Sequence, residues 1–196
     1  MSQPHPDRQS APEKYPLERA PQRRRTPAER AGQTWQGVEA EYTGGEDHPL
    51  GGYLGAMGVY AALVATLAGA ARLSRRPLPH PTPWDVVICA GATHRLSRLV
   101  ARDPVTSPLR APFTVFEGQE GPAELKEEVR GHGARKAVGE LITCPFCLDL
   151  WVATGLTAGY IYLPRATRLA VDTLAVLSGA DLLQFAYALL QEQEQS

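Results

Sequence analysis

The chain has 196 residues, enough for one domain of ordinary size. Its net charge of −1 averages unlike parts, because a polar, proline-rich beginning precedes long apolar blocks separated by basic stretches. Three cysteines without a secretory signal at the start argue against a disulfide framework. With no cleavable signal, the first apolar block should remain as a membrane anchor.

Residues 1–49 are predicted to form a disordered tail. Seven of them are prolines, and Leu17 and Val38 are their only Leu, Ile or Val residues. Such a segment buries too little apolar surface to offset its ordering entropy. The basic run Arg23–Arg25 suits contact with anionic lipid or nucleic acid, but it is short and lies among glutamates, which favours a solvated tail. We therefore predict no nucleic-acid partner.

Four apolar blocks follow, and each is predicted to be a membrane-spanning helix. They cover about residues 50–71, 84–101, 148–163 and 169–190. The first has no charged residue and is long enough to cross a ~30 Å hydrocarbon core. The second has a short uncharged centre, so an interfacial or re-entrant helix is its alternative. The predicted fold is all-α: a small polytopic membrane helical bundle of about four spans, preceded by the disordered tail.

Residues 102–147 are predicted to be a basic cytoplasmic loop between the second and third spans. Its first part, Asp103–Phe113, contains three prolines, which exclude a continuous helix there. Residues 122–130 are predicted to form a short helix, since Pro122 suits a first helical position. Residues 134–142 are predicted to form another helix that leads into Cys144.

The orientation follows from the distribution of lysine and arginine. If both termini are cytoplasmic, the tail and residues 95–136 place fifteen Lys and Arg inside, against five outside. The positive-inside rule favours this arrangement. The exception is a cluster of three arginines directly after the first span, which would lie outside: Arg72, Arg75 and Arg76.

Cys144 and Cys147, two residues apart at the start of the third span, are the best candidate site. A helix start stabilises a thiolate and lowers its pKa, and Thr143 is placed to cap this helix. Three interpretations stay open: structural thiols, a redox dithiol, or half of a tetrahedral zinc site completed by His132, His94 or a second chain. The reducing cytoplasm counts against the redox interpretation. No cofactor is expected, with zinc as the one exception.

Asp181 lies near the middle of the fourth predicted span, where a lone charge costs at least ~2.5–3.5 kcal/mol on insertion scales. At ~1.5 Å per residue from the outer end of each span, Asp181 is ~18 Å deep, and His94 is ~15 Å deep in the second span, with Arg95 one step further. We therefore predict an Asp181–Arg95 pair, with His94 as the second choice of partner, that joins the second span to the fourth.

Three stretches of the chain carry distinctive motifs: Thr93–Leu99 (THRLSRL), Asp103–Phe113 (DPVTSPLRAPF) and Glu140–Leu148 (ELITCPFCL) with the following WVA at 151–153. Together they resemble an uncharacterised bacterial membrane family, domain of unknown function 1360 (DUF1360), over about residues 84–190. The resemblance implies a helical fold and a bacterial cell-membrane location, and no chemistry. Asp149 departs from the family pattern, in which a small residue more often follows Cys-Leu.

We therefore predict an integral membrane protein that acts through assembly or partner binding rather than catalysis. Its partner surface would be the basic region Asp103–Gly139. The expected partners are the lipid bilayer and either a second copy of the chain or another membrane protein. The alternative is a membrane thiol oxidoreductase or a metal-binding protein that uses Cys144 and Cys147.

Overall fold

The computed structural model describes residues 35–44, 48–121 and 124–194. The chain divides into two compact units, Met1–Gly44 and Gly45–Ser196. In the first unit the described part is one helix, α1 (Trp35–Thr43), which lies inside the tail predicted to be disordered. The disorder predicted for residues 1–34 concerns residues outside the described ranges and stays a prediction.

The second unit contains four long helices, and each coincides with one of the four predicted apolar blocks. They are α2 (Leu50–Leu73), α3 (Pro83–Arg102), α6 (Pro145–Tyr162) and α7 (Pro164–Glu194). Among the described residues, two helices are long and apolar enough to cross a membrane, Leu50–Leu73 and Pro164–Gln193. A third qualifies if α6 and the preceding α5 (Ala134–Thr143) form one span bent by 83°.

Local sequence explains where α3 begins. Thr82 Oγ1 accepts a hydrogen bond from the Asp85 backbone N–H at 3.2 Å, and the Asp85 carboxylate accepts one from the Thr82 N–H at 2.9 Å. This reciprocal capping box satisfies two N–H groups that a helix start leaves free. Pro83, which lacks an N–H, occupies the first helical position.

α3 makes the most extensive helix–helix contacts of the bundle, with α6 and with α7. Its fully buried Ala92 forms a core cluster with Leu156 of α6 and Val171 of α7. Small side chains allow the close approach: the Ser178 hydroxyl of α7 donates to the Gly91 carbonyl of α3 at 2.8 Å. Four charged residues of α3 thus belong to a helix that packs against two others.

α2 packs against α5 and α6. A Cβ added to Gly52 would lie 2.6 Å from Ala137 Cβ, so glycine permits the close contact with α5. Further along α2, the Tyr60 ring meets the Trp151 ring of α6 edge-to-face, with ring centroids 5.3 Å apart. The Tyr60 hydroxyl lies 3.0 Å from Thr154 Oγ1.

Residues 114–129 form a β-hairpin, so the short helix predicted over residues 122–130 is wrong from Glu124 onward. β1 (Thr114–Gly121) and β2 (Glu124–Val129) pair antiparallel, with Thr114 opposite Val129. Before it, the proline-rich elbow forms a 3₁₀ turn (Pro104–Thr106) and a short helix, α4 (Ser107–Arg110). The described part of the chain is therefore mostly helical, as predicted, and contains one two-stranded sheet that the all-α prediction did not include.

Candidate functional site

The hairpin is attached to the last turns of α3 by two ion pairs. Arg98 pairs with Glu124, and Arg102 Nη1 lies 2.5 Å from Glu120 Oε2. The two arginines are one helical turn apart, so they face the same side of α3. The hairpin therefore sits against one defined face at the end of the central helix.

Arg110 forms the centre of this attachment, and its side chain is completely buried. Its Nε donates to Glu127 Oε2 of β2 at 2.5 Å. Its Nη1 donates to the Val100 carbonyl at 2.6 Å and to Thr106 Oγ1 at 2.8 Å, and its Nη2 donates to the Asp103 carbonyl at 3.0 Å. One guanidinium thus satisfies carbonyls at the end of α3, where a cation also complements the helix dipole.

The proline-rich stretch DPVTSPLR therefore works as an end-cap for α3. Thr106 Oγ1 also donates to the Leu99 carbonyl at 2.5 Å, and Asp103 Oδ1 accepts from the Val105 N–H at 2.8 Å. We call the unit made of Asp103–Arg110 and the hairpin 114–129 the hairpin cap. Sequence reasoning missed this role, although an arginine within a turn that follows a helix was a visible signal.

The predicted basic partner surface is not basic in charge balance. Residues 103–139 contain five basic and six acidic residues. The basic side chains of the hairpin cap are also paired, Arg110 with Glu127 as above and Lys126 Nζ with Glu117 Oε2 at 2.9 Å. The cap instead presents carboxylates together with two exposed apolar side chains of β1, Val115 and Phe116.

The two cysteines lie at the bend between α5 and α6, and both are free thiols. Cys144 is the N-cap of α6, because its Sγ accepts the Cys147 N–H at 3.3 Å. The predicted cap, Thr143, has another role: its hydroxyl donates back to the Gly139 carbonyl of α5 at 2.9 Å. Cys144 is half-buried, whereas Cys147 is exposed.

The Cys147 thiol does not have the lowered pKa expected at a helix start. Cys147 precedes the predicted span that begins at Leu148. Desolvation, the hydrogen bond to the Cys144 sulfur and the charge of Glu140 raise the pKa of Cys147 to about 11. A thiol with this pKa is protonated near pH 7 and is a poor nucleophile.

No group of three or more His, Cys, Asp or Glu side chains that could hold a metal ion occurs in residues 35–44, 48–121 and 124–194. Neither His132 nor His94 therefore joins Cys144 and Cys147 in such a group. Tetrahedral zinc needs four ligands in a structural site. A zinc site at this pair would need donors from outside the described residues.

Polar side chains join α3 to both of its neighbours inside the bundle. Arg95 Nη1 lies 3.1 Å from Asp181 Oδ2 of α7. Ser97 is fully buried, and its hydroxyl donates to Asp149 Oδ1 of α6 at 2.5 Å. Sequence reasoning paired Asp181 with the second block but missed the Ser97–Asp149 contact, for which the departure of Asp149 from the family pattern was the available signal.

Two grooves run along α6. The first, of about 960 Å³, lies between α6, α3 and the proline-rich connector 77–81, and His94 and Asp149 line it. The second, of about 750 Å³, lies between α6 and α2, and Tyr60 and Thr154 line it. His94 thus faces a groove at the depth of the Arg95–Asp181 pair.

These features place the chain among small, mostly helical proteins with two or three candidate membrane spans. The family model for Protein of unknown function (DUF1360) matches residues 88–187, and the chain belongs to this family. The matched region begins inside α3 and ends inside α7. It therefore contains the hairpin cap, the cysteine pair and the Arg95–Asp181 pair.

Two curated proteins of Bacillus subtilis (strain 168) are similar to the chain. Sporulation protein YjcA is 28% identical over 102 residues, which are 50% of this chain and 86% of that protein. UPF0713 protein YngL is 27% identical over 100 residues, which are 48% of this chain and 72% of that protein. No solved structure shows significant similarity to the chain.

Proposed function

We propose that the chain is an integral membrane protein with four spans, which lie within α2, α3, α6 (from Leu148 onward) and α7. The polar contacts of α3 support its assignment as a span. Arg95 and Ser97 are paired with carboxylates of α7 and α6, and Asp85 is used in the capping box of α3 itself. A helix with ionisable residues is tolerated in lipid when those residues face the bundle and pair within it.

The contacts between helix ends support an up-and-down arrangement of the four spans. At one end of the bundle, the Tyr162 hydroxyl at the end of α6 donates to the Leu67 carbonyl near the end of α2 at 2.7 Å. At the other end, the Tyr53 hydroxyl near the start of α2 donates to Glu140, just before the start of α6. The hairpin cap, which follows α3, belongs to the end where α2 and α6 start.

We further propose that the protein acts by binding another protein through the hairpin cap, and not by catalysis. The observation that carries this proposal is the buried Arg110 network, which holds the hairpin in one orientation on α3. A preorganised surface loses less entropy on binding. Phe116 is 63% exposed on a hairpin whose two strands carry five glutamates, a pattern that suits a partner with an apolar patch and a basic rim.

The test compares Phe116→Ser with Leu163→Ser, since Leu163 is about as exposed as Phe116 but lies between α6 and α7, outside the hairpin cap. Each variant is extracted in mild detergent from its native membrane, and its abundance and the mass of its complex are measured. We expect both to be as abundant as the wild type, and only Phe116→Ser to lose a complex heavier than the monomer. A wild-type protein that runs as a bare monomer, or two variants that behave alike, would contradict the proposal.

The alternative, a thiol oxidoreductase or metal-binding protein, depends on an accessible thiolate at Cys147. With a pKa of about 11, Cys147 should be alkylated slowly at pH 7.5, and the rate should rise about tenfold per pH unit up to about pH 10. The measurement is peptide mass spectrometry of Cys147 after timed alkylation of the native protein in detergent. A rate that already levels off below pH 8 would favour the redox interpretation.

A further inference from the structure

We propose that the groove between α2 and α6 binds an anionic phospholipid, with the phosphate headgroup on Arg72, Arg75 and Arg76. This proposal rests on the membrane location proposed above. The groove has a volume of about 750 Å³. Its walls are apolar along most of their length, and the arginines at the end of α2 lie at one end of it.

The charged side chains that line the groove are all positive. All three arginines line it, and none of the described residues that line it is Asp or Glu. Several other arginines of the described chain are paired with carboxylates, as Arg98 is with Glu124 and Arg168 is with Asp85 at 3.7 Å. Three arginines without a matching carboxylate around an apolar groove suit a ligand that supplies the anion.

Arg75 stands in a backbone conformation that disfavours it. Its φ is +47°, the only positive φ of a non-glycine residue in the described ranges. The Arg76 N–H bonds to the Ala71 carbonyl at 3.0 Å and the Arg75 N–H to the Arg72 carbonyl at 3.2 Å, a Schellman end in which glycine usually occupies the position of Arg75. An arginine kept where glycine fits better indicates that its side chain has a use.

The shape of the groove matches an amphiphile lying along the helices. Leu67 and Ala68 of α2 face Ala158 and Ile161 of α6 across its apolar part, next to the arginines. In a bilayer, a helix end with arginines lies at the headgroup level, and the middle of the helix lies among the acyl chains. A phosphate at the arginines would therefore place an acyl chain in the apolar part of the groove.

An anionic lipid in this groove also explains why three arginines follow the first span on the side that is predicted to be non-cytoplasmic. The positive-inside rule does not predict three arginines on the non-cytoplasmic side. Because cations near a membrane surface attract anionic lipids, a headgroup site gives these arginines a role that does not depend on the direction of insertion.

The experiment measures lipid binding to the purified full chain in detergent by native mass spectrometry. Phosphatidylglycerol and phosphatidylcholine with the same acyl chains are titrated separately. We expect the wild type to prefer phosphatidylglycerol. Arg72→Gln, Arg75→Gln and Arg76→Gln should each weaken that preference by roughly fivefold.

Two matched controls separate the groove from general surface charge and bulk. Arg165→Gln removes an arginine at the same end of the bundle that does not line this groove, and it should change nothing. Ala68→Phe fills the groove without removing charge and should reduce binding of phosphatidylglycerol at least tenfold. Ala65→Phe adds the same bulk on an exposed face of α2 outside the groove lining and should not.

Equal binding of the two lipids by the wild type would overturn the proposal, and so would equal losses in Arg76→Gln and Arg165→Gln. Displacement of phosphatidylglycerol by millimolar inorganic phosphate would show a phosphate site rather than a lipid site, which also overturns it. Carbonate extraction of membranes is run in parallel. A wild type that carbonate releases contradicts the proposed membrane integration, whereas an integrated protein without lipid preference contradicts this site alone.

Discussion

At the scale of single residues, Arg110 holds the end of α3 and the hairpin together. Replacing it with methionine should lower the free energy of unfolding by about 3–5 kcal/mol, because the Glu127 carboxylate, 7% exposed, would stay buried without its partner. The measurement is denaturant unfolding of the purified protein in detergent, followed by circular dichroism.

The Arg110→Met, Glu127→Leu double variant should recover part of this loss, since no lone charge remains buried. Lys126→Gln breaks an exposed pair of the same hairpin and should change stability little. If Arg110→Met and Lys126→Gln lower the free energy of unfolding by equally small amounts, the Arg110 guanidinium does not hold the hairpin cap on α3.

Because Cys144 is the N-cap of α6, its replacement by alanine and by serine should lower the stability of the protein to different extents. Cys144→Ala removes the acceptor for the Cys147 N–H and should cost about 1 kcal/mol of folding free energy. Cys144→Ser keeps an acceptor at the same place and should cost less, because serine is a favoured N-cap. The two variants are compared by thermal unfolding in detergent and by their abundance in the membrane.

A metal or redox role at Cys144 predicts instead that the two substitutions have equal effects. Serine binds zinc poorly and forms no disulfide, so Cys144→Ser would then lose function as fully as Cys144→Ala. Equal losses of abundance in the two variants, together with zinc in the wild type, would show a metal site and not a cap.

At the scale of the elements, the sequence predicted the four long helices well, because long apolar runs bounded by arginine or proline are local signals. It did not predict the hairpin. Glu124 and Glu127 resemble part of a solvated helix when read locally, but their partners, Arg98 and Arg110, lie 26 and 17 residues earlier in the sequence. Tertiary contacts overrode local propensity in this stretch.

Some features of the candidate site could also be predicted from the sequence, and others could not. The depth of Asp181 could be counted from the span boundary, and this count pointed to Arg95. The cap role of Cys144 could not be derived, because it depends on the 83° bend between α5 and α6. Nor could the raised pKa of Cys147, which comes from desolvation and from groups packed around it.

The contact between α3 and α7 is tested by a double-mutant cycle on Arg95 and Asp181. Arg95→Gln or Asp181→Asn alone leaves one charge in the bundle, so each should reduce the folded yield in the membrane more than the double variant does. We expect a coupling energy of about 1 kcal/mol, since the two side chains are 25% and 38% exposed.

The control cycle combines Arg95→Gln with Glu117→Gln, because Glu117 lies on the hairpin and pairs with Lys126. Distant sites should give additive losses. Additive losses in the Arg95–Asp181 cycle as well would show that the pair does not join α3 to α7.

At the scale of the whole molecule, contacts between side chains of different helices define the direction in which each helix runs. α3 and α7 run in the same direction, since Asp85 meets Arg168, Gly91 meets Ser178 and Arg95 meets Asp181. α6 runs opposite to both, because Ser97, late in α3, meets Asp149, early in α6. The hairpin cap, the cysteine pair and the end of α7 therefore share one end of the bundle.

This arrangement predicts which surface positions an impermeant thiol reagent reaches in intact cells. Three exposed positions are changed to cysteine one at a time: His80 in the connector between α2 and α3, Gln119 in the hairpin, and Gln191 near the end of α7. With the hairpin end in the cytoplasm, only His80→Cys should be labelled before permeabilisation, and all three afterwards. The unaltered protein serves as the control for its own cysteines.

The labelling pattern of the three variants also shows which part of the predicted topology is wrong if the expected result is not obtained. The connector and the hairpin lie on opposite sides only if α3 crosses the bilayer. Labelling of all three variants in intact cells, or of none of them before permeabilisation, would make α3 re-entrant or interfacial, because α6 and α7 together keep Gln119 and Gln191 on the same side. Labelling of Gln119→Cys and Gln191→Cys but not His80→Cys would keep four spans and reverse their direction. That result would move the three arginines at the end of α2 to the cytoplasmic side, where the positive-inside rule by itself explains them.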